Sequence, residues 1–169
     1  MPRVQLRTTE LEDRAAVIEV LRAAFDPGDA EVEIAEKIWL SDAHLPELDL
    51  VAVIDGEIVG HVLHSAASVG SREVIALAPL AVLPAYQRLG VGTALTEEAL
   101  RRADAKGHPM VVLLGHPEYY PRFGFVEAMA LGLTYQDRPA PFAAFMARPL
   151  NSYDAAIRGE FRFAWEAAG

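Results

Sequence analysis

The chain switches between stretches where apolar residues recur every second position and stretches where they recur every three or four, and the switches mark its elements. Val4 to Arg7 reads as a first strand. Val17, Ile18, Leu21 and Phe25 then fall at helical spacing behind a Thr9-x-x-Glu12 capping signature, which predicts a helix through about Phe25. Asp26-Pro27-Gly28-Asp29 breaks it. Ile34 and Ile38 carry a second helix to about Leu40, with Glu33 placed four residues before Lys37. Leu48 to Ile54 and Glu57 to Ala66 are β-rich runs joined by Asp55-Gly56, a pair that accepts the positive φ of a type I′ hairpin turn. A looser turn over Ser68 to Arg72 leads to a third run, Glu73 to Val82, so the pattern predicts an antiparallel meander. Pro79 interrupts it. A proline cannot donate to a ladder, so one side of this strand is expected to be unpaired there.

Past Val82, Leu95, Ala99, Leu100 and Ala103 form a helical stripe that stops at Gly107, a residue suited to the position after a helix end. Met110 to Leu114 is continuously apolar, as a buried parallel strand would be. Strand, helix and strand here make a βαβ-like unit. His116 to Arg122 is expected to form a short helix and Ala143 to Arg148 a strand. Phe161, Phe163 and Trp165 alternate with polar or small residues as in a last strand with one buried face.

Composition narrows the class. With 169 residues and 52% hydrophobic content, the chain suits one domain, residues 1–169, with a substantial core. No basic leader followed by an apolar stretch stands at the N-terminus and no apolar run approaches the ~20 residues that span a bilayer, so a cytoplasmic protein without membrane partners is expected. There are no cysteines, which excludes disulfides, thiolate metal sites and a cysteine nucleophile. The net charge of −9 repels nucleic acid and favours cationic small molecules. Against that background, residues 84 to 106 carry Arg88, Arg101, Arg102 and Lys106 against Glu97, Glu98 and Asp104, a local surplus of +1. The five histidines lack metal-ligand spacing, and His61 and His64 fall on opposite faces of a strand, so no metal is expected.

The positive island begins at a distinctive turn. In Val82-Leu-Pro-Ala-Tyr-Gln-Arg-Leu-Gly-Val-Gly-Thr-Ala-Leu95 an apolar strand ends and two glycines open a helix, which gathers backbone N–H donors at the positive end of a helix dipole. Phosphate is the natural ligand of such a cradle. A Walker A motif is absent, because Gly92 is followed by Thr93-Ala94, and the dinucleotide fingerprint fails at Leu95. The alternative, glycines required only for packing, accounts poorly for two of them in one helical turn.

Gln87-x-x-Gly90-x-Gly92 matches the [Q/R]-x-x-G-x-[G/A] turn, and the chain resembles GNAT superfamily N-acetyltransferases. Tyr120, Gly124 and Phe125 fit the family's Y-x-x-x-G-F signature. Phrases such as Pro79-Leu-Ala-Val82 and Tyr119-Tyr-Pro-Arg-Phe-Gly-Phe125 are similar to the YhbS-like members, and the element order agrees over residues 4 to 148. The resemblance implies an α/β (α+β) GNAT fold: a central mixed, mostly antiparallel sheet flanked by helices, with the fourth and fifth strands splayed for acetyl-CoA. It implies that backbone groups of Leu80, Ala81 and Val82 hold the pantetheine arm, and that Gln87, Arg88, Leu89, Gly90, Val91, Gly92 and Thr93 bind the pyrophosphate. Gly115 would sit across the opening. Many relatives place an asparagine near the next helix; this chain has none between 110 and 125, and His116 is the candidate substitute.

Tyr120 is then the candidate general acid for the departing thiolate, since phenol and thiol pKa values of ~10 and ~8.5 lie close. A base is needed too. A lysine-like amine costs about 4.6 kcal/mol to deprotonate at pH 7. Relatives use a strand carboxylate, a histidine or waters, and this chain offers Glu73 on the fourth strand with His61 and His64 on the third. Each has a plain structural reading, as a solvated strand start or a satisfied core histidine. The acceptor implied is a small-molecule or peptide amine, entering between the first two helices near Glu31, Glu33 and Glu36 and the late hairpin. A homodimer is compatible with the resemblance. Two other readings stand beside the enzyme: a noncatalytic acyl-CoA-binding sensor or regulatory module, and an oligomeric scaffold built on exposed strands.

Overall fold

The computed structural model describes residues 3–167. Its sheet begins with β1 (Gln5–Thr8), β2 (His44–Ile54), β3 (Glu57–Val69) and β4 (Arg72–Val82), each antiparallel to the one before. The β2–β3 turn is the expected one, with Asp55 at φ +50° and Gly56 at φ +80°. β5 (Met110–Leu114) lies parallel to β4, and β8 (Phe145–Pro149) and β6 (Val126–Glu127) continue antiparallel beyond it, giving the order β1-β2-β3-β4-β5-β8-β6. β9 (Gly159–Phe163) pairs with the end of β3 that outruns β2, and takes β7 (Leu133–Thr134) on its other side.

Helices cover both faces, as apolar residues on both sides of the central strands require. α1 (Arg14–Ala24) and α2 (Asp29–Trp39) set Val17, Leu21, Ala35 and Ile38 against Val51, Leu63 and Ala81. On the opposite face α3 (Val91–Ala105) sets Val91, Leu95, Ala99 and Ala103 against Leu50, Val62 and Val111. The first layer continues into Tyr135, Phe145, Phe161, Phe163 and Trp165, with α4 (Ala164–Ala167) closing the chain.

Two features of β4 shape the site. Opposite His64 stands Leu77 and opposite Val62 stands Leu80, so Ala78 and Pro79 together face the single residue Leu63. This bulge accommodates the proline that cannot donate and bends the strand. Parallel pairing with β5 is confined to Ile75 with Val111 and Ala76 with Val112; beyond them β4 runs on to Val82 while β5 ends at Leu114, and the two strands part. The mixed, mostly antiparallel sheet and the splay expected from the resemblance are both present.

Some local expectations need correction. The box at the first helix joins Glu10 and Asp13, with the Glu10 N–H donating to Asp13 Oδ2 at 2.8 Å, and not Thr9 and Glu12. Asp13 wins because it also pairs with Arg7 from β1, at 2.6 Å. β3 extends to Val69, which tightens the expected loose turn to Gly70-Ser71, because β9 supplies the last residues of β3 with a second partner. The segment after β5 is a turn followed by a 3-10 turn, Tyr120–Phe123, in which Pro121 sits near the start. The last strand stops at Phe163, and Trp165 belongs to α4.

Candidate active site

The end of β4, the turn into α3 and the segment after β5 converge on a cleft of about 370 Å³. Leu80, Ala81 and Val82 form one wall, Gln87, Arg88 and Gly92 the floor of the turn, and His116, Tyr119 and Tyr120 the other wall. Ala24 and Phe25, at the end of α1, close it from the helical side.

The turn has a backbone geometry that suits an anion. Arg88 at φ +64° and Gly90 at φ +86° are both left-handed, a curl that aims successive N–H groups toward one side. The first helical bond of α3, from the Ala94 N–H to the Gly90 carbonyl at 3.0 Å, leaves the amides of Val91, Gly92 and Thr93 without an intrahelical acceptor. The Gln87 side-chain amide donates to the Val82 carbonyl at 3.0 Å and ties the turn to the end of β4. A Cβ on Gly90 would meet nothing within 4 Å, so its surroundings are open to a ligand, whereas one on Gly92 would lie 2.9 Å from the Tyr119 hydroxyl. A side chain at residue 92 would thus press on Tyr119, a packing role that the sequence alone made secondary.

Of the expected site residues, Leu80, Ala81, Val82, Gln87, Arg88, Gly92, His116 and Tyr120 line the cleft. Leu89 and Gly90 are exposed on the turn, and Val91 turns its side chain into the core, leaving their backbones as the groups available to a ligand. Glu73 is not brought to the site: it is exposed at the start of β4, six residues and roughly 20 Å along the strand from Pro79. Glu31, Glu33 and Glu36 do not line the cleft, and Glu33 faces Lys37 at 3.6 Å. The cations of the positive island separate as well. Arg101 and Arg102 both pair with Glu98, at 2.6 and 2.7 Å, which leaves Arg88 as the one that borders the cleft.

Tyr120 is buried, with its ring edge-on to Tyr119 at 5.0 Å and close against Gly115, where a Cβ would fall 2.6 Å from the ring. Burial, with a smaller contribution from Tyr119, pushes the phenol above its ordinary value, so it stays protonated and able to donate. The same burial makes it a weaker acid than the free-phenol comparison suggested. Tyr119, for which the sequence suggested no part in the site, borders the cleft under the Arg122 guanidinium, 4.5 Å from its ring centre. Ala24 and Phe25 carried no signal either, since they reach the cleft only by the packing of α1.

A second polar cluster lies in the sheet beside β4. Asp49 on β2 is buried and accepts from Trp39 Nε1 at 3.0 Å, from His44 Nε2 at 2.9 Å and from His61 Nε2 at 2.8 Å. Burial raises its pKa, but the hydrogen bonds it accepts, that from His61 first, outweigh burial and bring it down to about 2. On the opposite sheet face His64 is fully buried, with Nδ1 at 3.0 Å from the Leu48 carbonyl; burial lowers its pKa to about 4, and the neutral ring donates from Nδ1. Among the described residues no group of three or more His, Asp or Glu is arranged to hold a metal ion.

Residues 14–125 match the acetyltransferase (GNAT) family. The chain belongs to the GNAT family. Among its relatives, the Escherichia coli K12 protein named as the uncharacterized N-acetyltransferase YjhQ is 32% identical over 167 residues, covering 92% of this chain and 90% of that protein. E. coli YhbS, also named an N-acetyltransferase, is 34% identical over 116 residues, 67% of this chain and 68% of that protein. The crystal structure of E. coli YhbS in complex with CoA superimposes with a TM-score of 0.89 at 27% identity, over 100% of this chain and 94% of that one. A Brucella melitensis GNAT acetyltransferase in complex with acetyl-CoA gives 0.79 at 28% identity, over 98% and 99%. GNAT membership makes the protein an acyltransferase, and the splayed β4–β5 pair and the turn after β4 are the parts of this GNAT chain that the cleft is made from.

Proposed function

We propose that the protein is an acetyl-CoA-dependent N-acetyltransferase in which a primary amine attacks the thioester directly, and that the whole chain acts as one domain in the cytoplasm. The observation that carries this reading is the continuity of the cleft. The cleft runs from the gap where β4 leaves β5 to Gln87, Arg88 and Gly92 of the turn that opens α3, an extended slot beside a helix start whose first amides lack an intrahelical acceptor. The solved relatives hold CoA and acetyl-CoA, whose diphosphate and thioester-bearing arm have this shape and chemistry.

Each part has a task. The cradle amides and Arg88 take the diphosphate charge. The backbone of Leu80 to Val82, freed from β5, offers donors and acceptors to the arm and a donor to the thioester carbonyl, where negative charge develops as the amine adds. Tyr120, held protonated, donates to the sulfur as the carbon–sulfur bond breaks and gives up its proton to the thiolate. Phe25 and Ala24 exclude water from the α1 side, where the acceptor, a small-molecule or peptide amine, enters.

Incubation of the purified protein with acetyl-CoA and a panel of amines, followed by thiol release, tests the reading. Thiol release that depends on the amine is expected. Tight CoA binding with no turnover on any amine favours the sensor module, and the absence of CoA binding rejects both.

A further inference from the structure

Asp49 is a buried carboxylate, and a carboxylate only accepts hydrogen bonds. Both imidazoles that face it, His44 and His61, therefore present Nε2–H, and Nδ1 is the atom of each ring left to take up or release a proton. For His44 the ring is partly exposed, at 18%. For His61 it is fully buried, and Nδ1 has no hydrogen-bond partner. An unpartnered lone pair in a core costs stability, and replacing a buried charged cluster by apolar residues is often neutral or stabilising. The cluster is thus poorly explained as a device for stability, and a buried carboxylate held between two imidazoles is an arrangement that concentrates at functional sites.

Its position gives it a use. His61 on β3 pairs with Ala81 on β4, and directly paired residues point to the same sheet face with Cβ atoms ~5 Å apart. Ala81 lines the cleft, so one methyl-bearing residue separates the imidazole from the wall along which the thioester would lie. The charged and titratable groups around the ring are few. They are Asp49 and His44 from β2, Arg14 from α1 stacked 4.8 Å over Trp39, Asp13 ahead of α1 with its ion-pair partner Arg7 from β1, and His64 farther along β3. Trp39 of α2 lies 6.3 Å from the His61 ring and donates to the same carboxylate.

We infer that His61 is the proton acceptor for the amine, working through one water at the Ala81 wall, and that Asp49 is the residue that positions it. The inference rests on the acetyltransferase reading above. In the step, the amine nitrogen forms its bond to the carbonyl carbon as the carbon–sulfur bond breaks. The proton that the nitrogen loses passes to His61 Nδ1, Tyr120 protonates the thiolate, and no electron is transferred. Asp49 stabilises the imidazolium that results, while Trp39 and His44 keep the carboxylate ionised and oriented.

The test compares wild type with His61→Gln, Asp49→Asn and Glu73→Gln, using acetyl-CoA and whichever amine the panel selects. His61→Gln is expected to lower kcat at neutral pH about a hundredfold or more. Its CoA affinity should stay near that of wild type, and the acid limb of its pH–rate profile should be lost, with partial recovery at high pH as the amine deprotonates itself. Asp49→Asn should give a smaller loss and a displaced limb. If wild type turns over and His61→Gln retains both rate and limb, or if Glu73→Gln alone carries the loss, the inference is wrong while the acetyltransferase reading survives. Nitrogen NMR of the labelled histidines supplies an arm independent of turnover and of whether His61→Gln folds. The neutral His61 ring should be protonated at Nε2 in wild type, and an Nδ1–H tautomer overturns the proposal. If wild type acetylates no amine, the functional reading fails and the proton acceptor with it.

Discussion

At Gly90 the backbone holds φ +86° beside open space, so conformation and ligand access can be tested separately. Gly90→Ala adds only the strain of a left-handed alanine, about 1 kcal/mol, and should leave CoA binding largely intact. Gly90→Glu sets a carboxylate against the diphosphate and should abolish binding by calorimetry while the protein stays folded. Tyr120→Phe removes the hydroxyl but keeps the ring that packs on Gly115, so turnover should fall tenfold or more with CoA affinity little changed; equal turnover removes Tyr120 from the chemistry. His64 provides a pH signature. Its folded pKa of about 4 lies below the ordinary value of ~6.5, so the unfolded chain binds the extra proton first. The stability this burial contributes is complete above about pH 6.5 and is lost as pH falls toward 4, by about 3 kcal/mol. His64→Gln keeps a donor for Leu48 without titrating, and denaturant titrations between pH 4 and 7 should show a flatter profile for it than for wild type.

The element that seats Tyr120 is short and depends on its ends. The 3-10 turn Tyr120–Phe123 stops at Gly124, φ +88°, where an added Cβ would stand 2.6 Å from Arg148 Nε. That nitrogen donates to the Phe123 carbonyl at 2.9 Å. Gly124→Ala should therefore displace Arg148, lower the thermal midpoint by several degrees and raise the KM for acetyl-CoA, although it touches no ligand. The Gly-Phe pair of the signature is in this sense a device for fixing the tyrosine, and its spacing was legible because the left-handed end of the turn admits little but glycine. The tightening of the Gly70-Ser71 turn was not legible. It follows from β9, whose pairing with Val69 joins residues about ninety positions apart in the chain.

For the whole molecule, the cleft exists because β4 cannot follow β5 beyond Ala76. β4 ends in the turn into α3, β5 leads into the segment carrying Tyr119 and Tyr120, and a ligand in the gap would brace both sides. CoA at a hundredfold excess over its Kd should therefore raise the unfolding free energy by about 2.7 kcal/mol in a thermal-shift or denaturant assay. Gly90→Glu should show no such increment. The negative charge of the molecule, −9, makes CoA recognition a matter of local donors, so added salt should weaken binding only modestly compared with a protein that recruits anions by its overall field.

The sequence by itself determined the elements whose signal is local: the Asp55-Gly56 hairpin, the glycine turn before α3, the proline that unpairs β4 and the Tyr-x-x-x-Gly-Phe spacing. Each depends on φ, a missing N–H or a neighbouring side chain, quantities that a few adjacent residues control. What only the tertiary structure decided is which residues meet across the sheet. It left Glu73 at the far end of β4, brought Phe25 and Tyr119 to the cleft, and placed His61 beside Ala81 with Asp49 behind it. Strand register and helix packing set these meetings, and they depend on burial summed over the whole chain rather than on any short stretch of it.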